Sequence, residues 1–174
     1  MLERNGILQF NGKDVTILGP DLQVGDLAPE FTVQAQDWTE RQALASTQGK
    51  VRIIGSLPSL NTSVCDRETR RFNEEAAILG EDVAILTVSM DLPWTLRNWC
   101  AAAGVDKVTT LTDHLTGNFG TTYGVLVKEA RIFRRAVWVV NRAGVIVYAE
   151  YTPAIGVEPD YNAVLDAARQ ALAG

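Results

Sequence analysis

Two short, almost wholly apolar segments with an amphipathic segment between them constrain the fold of this chain most strongly. Residues 51–57 and 83–89 have the composition of strands that are covered on both faces. Residues 63–79, which lie between them, carry apolar side chains at helical spacing and are followed by Gly80, which supplies a helix stop. The sequence therefore predicts a β-α-β unit in the middle of the chain.

The segments around this unit complete the predicted architecture. They are, in chain order, a hairpin formed by residues 7–10 and 15–18 about the turn pair Asn11-Gly12, a strand over 31–35, a weak helix or turn over 40–46, a helix over 94–103 between Pro93 and Gly104, a strand over 108–111, a hairpin formed by 136–140 and 145–151, and a final helix over 161–173 capped by Asp160. A β-α-β unit followed by an antiparallel β-β-α unit is the arrangement of the thioredoxin fold. We therefore expect an α/β chain with a central mixed sheet flanked by helices and an N-terminal β-hairpin extension.

Length and composition narrow the classes of function. A chain of 174 residues without an internal repeat or linker predicts a single domain over residues 1–174. The net charge of −5 argues against nucleic-acid partners, which require a basic face, and no apolar stretch reaches the roughly 18 residues of a membrane span. The first residues lack the basic-then-apolar order of a signal peptide, so we expect a cytoplasmic protein, in which a disulfide is normally transient.

The two cysteines, Cys65 and Cys100, carry most of the chemical information. Cys65 falls in the first turn of the helix predicted over 63–79, where unpaired N–H groups and a partial positive charge favour a thiolate, the nucleophilic form of cysteine. Thr62 stands three residues earlier, on the same face if the helix has already begun, and the ring of Pro58 would shield the sulfur from water. An activated thiol with a distant second thiol predicts redox chemistry, although a free cysteine can also be a small buried hydrophobe.

Residues 58–65, Pro-Ser-Leu-Asn-Thr-Ser-Val-Cys, resemble the peroxidatic motif of the bacterial thiol peroxidases, an atypical two-cysteine branch of the peroxiredoxins. The resemblance extends over nearly the whole chain. Further matching segments are residues 10–12, 24–31, 90–94, 99–100, 113–114, 119–120, 123–125, 134–137 and 158–161, together with Gly104. The pattern Pro-(x)3-Thr-(x)2-Cys with a second cysteine at this spacing is the specific part of the match.

The resemblance implies a role for each of five residues. Cys65 would be the peroxidatic cysteine, which attacks the O–O bond of hydrogen peroxide or an alkyl hydroperoxide, while Thr62 would hydrogen-bond the peroxide and Pro58 would shield the site. Arg135 would stabilise the thiolate, and Cys100 would resolve the Cys65 sulfenic acid as an intramolecular disulfide. The resemblance further implies recycling by thioredoxin, a homodimer, and no metal or organic cofactor.

Several alternatives stay open on the sequence alone. Arg131 and Arg134 compete with Arg135, although strand alternation places Arg134 and Arg135 on opposite faces. The alternative interpretation of Cys100 is a buried helix residue that never contacts Cys65. A redox-sensing binding protein, whose disulfide switches a partner, would use the same cysteine pair, whereas a dithiol reductase is disfavoured because Cys-x-x-Cys is absent.

Two positions depart from the pattern of the family. Asn61 stands where aspartate is usual, which removes a negative charge close to the sulfur, and Leu115 stands where many relatives carry arginine. The only histidine, His114, is expected to be a loop or capping residue, and one histidine with two separated cysteines does not readily form a metal site. We also expect the reduced protein to hold the two sulfurs too far apart to bond, so that turnover requires local unwinding of both segments.

Overall fold

The computed structural model describes all residues from 1 to 174 and contains eleven strands and four α-helices. The strands are β1 (Glu3–Phe10), β2 (Lys13–Leu18), β3 (Thr32–Gln34), β4 (Glu40–Gln42), β5 (Val51–Ser56), β6 (Val83–Ser89), β7 (Thr109–Thr112), β8 (Leu126–Val127), β9 (Ile132–Phe133), β10 (Ala136–Val140) and β11 (Ile146–Tyr151). The helices are α1 (Ser63–Leu79), α2 (Pro93–Ala103), α3 (Asn118–Thr122) and α4 (Tyr161–Ala173). None of these helices combines the length and the hydrophobicity that a membrane span requires.

Seven strands form the central sheet, in the order β11-β10-β5-β6-β7-β3-β4. β5, β6 and β7 run parallel to one another, and the other neighbouring pairs of this sheet are antiparallel. Every residue of β5 is buried. The mixed sheet with flanking helices confirms the predicted α/β architecture of the thioredoxin type.

Different elements cover the two faces of the central sheet. On one face, α1 and α4 contribute Phe72 and Leu165 to a buried cluster that also contains side chains of β5, β6 and β10. On the other face, Phe119 of α3 packs against Trp138 of β10, with ring centroids 6.0 Å apart and the rings nearly perpendicular. Burial on both faces explains why the central strands are almost continuously apolar.

The N-terminal hairpin belongs to a second, smaller sheet. β1 and β2 are antiparallel, as the Asn11-Gly12 pair predicts, and both turn residues have positive φ (51° and 73°). β2 also pairs with β8, and β8 with β9, so the hairpin is one half of a four-stranded sheet. Asp21 forms ion pairs with both Arg4 and Arg134, which joins the start of the chain to the segment before β10.

Most predicted elements are confirmed, and α1, β6 and α4 have the predicted bounds. The prediction of a helix or turn over residues 40–46 is wrong for its first half, which forms β4 at the edge of the sheet, while Ala45–Thr47 form a 3-10 helix. The sequence does not predict α3, β8 or β9, which have five, two and two residues. Elements of this length are too short to show a periodic pattern of apolar residues.

The register of β10 against β5 brings two distant parts of the chain to one end of the sheet. β5 ends at Ser56 and leads through Pro58 to α1. β10 begins at Ala136, which is paired with Ser56 in the antiparallel ladder. Arg135, which immediately precedes Ala136, therefore lies beside the segment that enters α1.

A substitution at Gly19 tests the packing of the end of the hairpin against α3. A methyl group at this position would clash with the backbone carbonyl of Thr121, and the φ of +87° is already unfavourable for an L residue. We expect Gly19→Ala to lower the free energy of unfolding by about 3 to 5 kcal/mol in urea titrations. Gly12→Ala is the control, because it shares a positive φ of +73° but has open space, so it should cost only about 1 to 2 kcal/mol. Equal losses in the two variants would contradict this packing.

Candidate active site

Cys65 is held in the first turn of α1. Thr62 is the N-cap residue: its backbone is extended (φ −92°, ψ 147°), and its hydroxyl oxygen accepts a hydrogen bond from the Cys65 N–H at 3.4 Å. Thr62 therefore precedes the helix, so the condition under which it would share a helical face with Cys65 is not met. The helix dipole and the free amide groups of this turn favour an anion at Cys65.

The side chain of Cys65 is fully buried, with 0% exposed. It belongs to an apolar cluster with Leu57, Leu60 and Leu96, which come from the loop before α1 and from α2. An apolar cluster alone would disfavour a thiolate, because burial penalises the charged form of an ionisable group. The polar partner of the sulfur therefore decides its chemistry.

That partner is Arg135, whose Nη2 donates a hydrogen bond to Cys65 Sγ at 3.2 Å. The same Nη2 donates to the backbone carbonyl of Ile155 at 3.2 Å, so the guanidinium is anchored by the loop between β11 and α4. Arg135 is only 1% exposed, and its charge is therefore poorly screened by solvent. A cationic donor in contact with the sulfur favours the thiolate over the thiol.

The loop that carries Pro58 and Thr62 is fixed by Asp91, which the sequence analysis did not single out. Asp91 Oδ1 accepts a hydrogen bond from Ser59 Oγ at 2.7 Å, and Oδ2 accepts one from the Leu60 N–H at 2.9 Å. Pro58 is buried in this loop. Because Asp91 stands between β6 and α2, it ties the loop before α1 to the start of α2.

Cys100 lies on α2, and its sulfur contacts Thr110 and not Cys65. Its Sγ is 3.3 Å from Thr110 Oγ1 of β7, and Gln36 Nε2 donates to the same hydroxyl oxygen at 2.8 Å. Burial raises the pKa of the Cys100 thiol above its ordinary value, which favours the protonated form. Both cysteines are free, and the structure does not bring Cys100 into the site formed by Cys65 and Arg135.

Comparison with known proteins assigns this arrangement to a family. The AhpC/TSA family profile matches residues 24–149, which include both cysteines and Arg135. The chain belongs to the AhpC/TSA family.

Individual relatives give the same assignment. The chain is 49% identical over 156 residues to the thiol peroxidase of Oceanobacillus iheyensis, with 90% of this chain and 94% of the relative covered. It is 47% identical over 162 residues to that of Bacillus subtilis, with coverages of 93% and 96%. The crystal structure of a peroxiredoxin-like protein from Aquifex aeolicus matches with a TM-score of 0.84 at 34% identity, over 94% of this chain and 96% of that chain. The predicted family is confirmed, and the chain is a peroxiredoxin-family enzyme.

Glu68 is a component of this peroxiredoxin site that the sequence analysis missed. It forms an ion pair with Arg135 Nη1, and the two side chains are 2% and 1% exposed. Burial raises the pKa of Glu68 to about 7, although attraction to Arg135 opposes the change. Burial alone would lower the pKa of Arg135, but Glu68 and Cys65 raise it. The sequence could have predicted that Glu68 lies near Cys65, because residues three apart share one face of a helix.

The other polar candidates lie outside the site. Arg134 extends to the opposite side, where it pairs with Asp21 and lies 4.1 Å from the centroid of the Tyr151 ring. Arg131 is exposed, and His114 is hydrogen-bonded to a threonine of its own segment. Strand alternation before β10 thus separates Arg134 from Arg135, as predicted.

The Glu68 carboxyl group makes the stability of the fold depend on pH. Its folded-state pKa of about 7 exceeds the ordinary value of 4.5, so the folded protein binds this proton more tightly than the unfolded chain does. The resulting stabilisation is fully present below about pH 4.5 and is lost as the pH rises through about 7. We compare the free energies of unfolding of the wild type and of Glu68→Gln in urea titrations. We expect the wild-type value minus the Glu68→Gln value to decrease as the pH rises from about 5 to about 8.

Glu74→Gln, at an exposed position of the same helix, is the matched control for this measurement. A difference between wild type and Glu68→Gln that stays constant with pH would show that Glu68 does not titrate in this range.

Proposed function

We propose that residues 1–174 act as one cytoplasmic thiol peroxidase domain, which reduces hydrogen peroxide and alkyl hydroperoxides with Cys65 as the peroxidatic cysteine. The observation that carries this proposal is the 3.2 Å hydrogen bond from the buried Arg135 guanidinium to the Cys65 sulfur, at the N-terminus of α1. The thiol peroxidase names of the relatives at 49% and 47% identity support the same activity.

In the first step, the Cys65 thiolate attacks one oxygen of the peroxide. An S–O bond forms, the O–O bond breaks, and the other oxygen gains a proton and leaves as water or as an alcohol. The sulfur is oxidised to a sulfenic acid and the peroxide is reduced. Arg135 stabilises the charge on the departing oxygen, and its Nε–H group is buried without an acceptor in the chain. Thr62 hydrogen-bonds the peroxide, and Pro58 shields the sulfur from bulk water.

In the second step, the Cys100 thiol attacks the sulfenic sulfur of Cys65. The S–O bond breaks, a disulfide bond forms, and water leaves. A dithiol of the thioredoxin type then reduces this disulfide by exchange, which restores both thiols and leaves the reductant oxidised. Because the structure places Cys100 against Thr110 and not against Cys65, this step requires both segments to unwind locally.

A homodimer is part of the proposal, and the surface that supports it is aromatic. Trp38 and Trp94 are 41% and 54% exposed, and their rings are 4.9 Å apart. Leu92, two residues before Trp94, and Leu115, which follows His114, are also exposed, at 44% and 61%; the His114 ring lies 5.5 Å from the Trp38 ring. Large apolar side chains left in solvent as a group are typical of protein–protein interfaces.

Replacement of Arg135 tests the first step. We expect Arg135→Lys, which keeps the charge but loses the planar donor set, to slow the oxidation of Cys65 by about 100-fold, the effect of removing one positioned donor from an active site. The measurement is single-turnover oxidation by hydrogen peroxide, followed by stopped-flow fluorescence. Arg131→Lys, at an exposed position before β9, is the control and should react at the wild-type rate. If Cys65 of Arg135→Lys is oxidised at the wild-type rate, a cation other than Arg135 has this role.

Replacement of each cysteine separates the two steps. We expect Cys65→Ser to abolish peroxide consumption, whereas Cys100→Ala should undergo one round of sulfenic acid formation and then fail to turn over with thioredoxin. The measurements are trapping of the sulfenic acid with dimedone and a coupled thioredoxin assay. Unchanged thioredoxin-coupled turnover of Cys100→Ala would remove Cys100 from the cycle. A wild-type protein that is oxidised once but never turns over would favour the redox-sensing alternative.

A further inference from the structure

The residues next to the two cysteines are bonded to each other. Asp66 directly follows Cys65 on α1, and Trp99 directly precedes Cys100 on α2. Trp99 Nε1 donates a hydrogen bond to Asp66 Oδ1 at 3.1 Å. This hydrogen bond therefore connects the first turn of the helix that carries Cys65 with the helix that carries Cys100.

A row of α1 side chains strengthens this connection. Arg70 donates from Nε to Asp66 Oδ2 at 2.9 Å and from Nη1 to the carbonyl of Ala103, at the C-terminal end of α2, at 3.1 Å. The guanidinium of Arg70 also lies 5.7 Å from the centroid of the Trp99 ring. One turn further along, Asn73 Oδ1 accepts hydrogen bonds from the N–H groups of residues 106–108, in the segment after α2. Positions 66, 70 and 73 share one face of α1, so this face holds α2 in place.

The contact lies where the proposed catalytic cycle requires movement. Asp66 and Trp99 line the same surface groove as Thr62, at the N-terminus of α1. If the first turn of α1 unwinds to present an oxidised Cys65, Asp66 leaves its position and Trp99 loses its acceptor. Opening of the Cys65 segment and release of the Cys100 segment are then energetically coupled, because one cannot keep its native contacts when the other has moved.

We propose that Asp66 and Trp99 are positioning residues that couple the unwinding of the two cysteine segments and set the rate at which Cys100 reaches Cys65. This inference rests on the proposed function, in which the Cys100 thiol displaces water from the Cys65 sulfenic acid. A second peroxide molecule competes for the same sulfenic acid: it transfers one oxygen to the sulfur, gives a sulfinic acid, and leaves as water or an alcohol. The Asp66–Trp99 contact therefore sets the ratio of disulfide to sulfinic acid.

Trp99→Phe is the variant that removes the N–H donor and keeps an aromatic ring. In the reduced protein, we expect Cys100 to be alkylated by iodoacetamide about fivefold faster than in the wild type, the effect of losing one hydrogen bond of ordinary net strength. After one equivalent of hydrogen peroxide, disulfide formation should be about fivefold faster and, at excess peroxide, sulfinic acid on Cys65 correspondingly less abundant. Peptide mass spectrometry distinguishes the two cysteines in each experiment.

Asn98→Ala is the control, since Asn98 lies next to Trp99 on the same helix but is exposed, and this variant should leave all three readouts unchanged. Asp66→Ala should reproduce the effect of Trp99→Phe, and the double variant should add little to either single one, because both remove the same contact. Asp66→Asn, which keeps the Oδ1 acceptor, should have the smaller effect.

Two outcomes would overturn the inference. One is an alkylation rate of Cys100 in Trp99→Phe that equals the wild-type rate. The other is an equal increase in the alkylation of Cys100 in Asn98→Ala, which leaves the Asp66–Trp99 contact intact, because the increase would then not depend on that contact. Alkylation of the reduced protein involves no peroxide, so a wild-type protein that forms no disulfide would contradict the proposed function and leave the alkylation test of the coupling intact.

Discussion

The site depends on one buried contact, that of the Arg135 guanidinium with the Cys65 sulfur. Burial of an arginine is costly unless its charge is paired, and the structure supplies Glu68 and the carbonyl of Ile155 as partners. The position of each member follows from the fold. The Thr62 cap sets where α1 begins, and the β5–β10 register places Arg135 at the same end of the sheet. The surroundings of Cys65 are thus formed by several elements acting together.

Helix α1 serves two purposes with two of its faces. Cys65 and Glu68 meet Arg135 in the interior, where the sulfur and the carboxyl group contact one guanidinium. Asp66 and Arg70 face α2 and hold the helix that carries Cys100. A change in the charge or conformation of the first turn therefore reaches both cysteine segments, although the two thiols have different neighbours. This connection links the segment of a fully buried cysteine with that of a distant thiol.

Elements with strong local patterns are the ones that the sequence predicts correctly. Capping residues and helical spacing fix the bounds of α1 and α4, and Cys65 lies in the first turn of α1, as its position in the sequence predicts. β4, α3, β8 and β9 escaped prediction because elements of two to five residues are stabilised by tertiary contacts and have no period of their own. Glu68 could have been predicted from its spacing, because it lies three residues after Cys65. Ile155 could not, because it binds Arg135 through its backbone carbonyl, and a pattern of side chains does not reveal such a contact.

The central claim is that oxidation of Cys65 is resolved within the chain by Cys100. The most direct test is the intact mass of the protein after one equivalent of hydrogen peroxide, with and without alkylation, followed by addition of thioredoxin. We expect the loss of two hydrogens and of both alkylation sites, and thioredoxin should reverse both changes. A stable gain of one oxygen on Cys65, with Cys100 still open to alkylation, would contradict this claim.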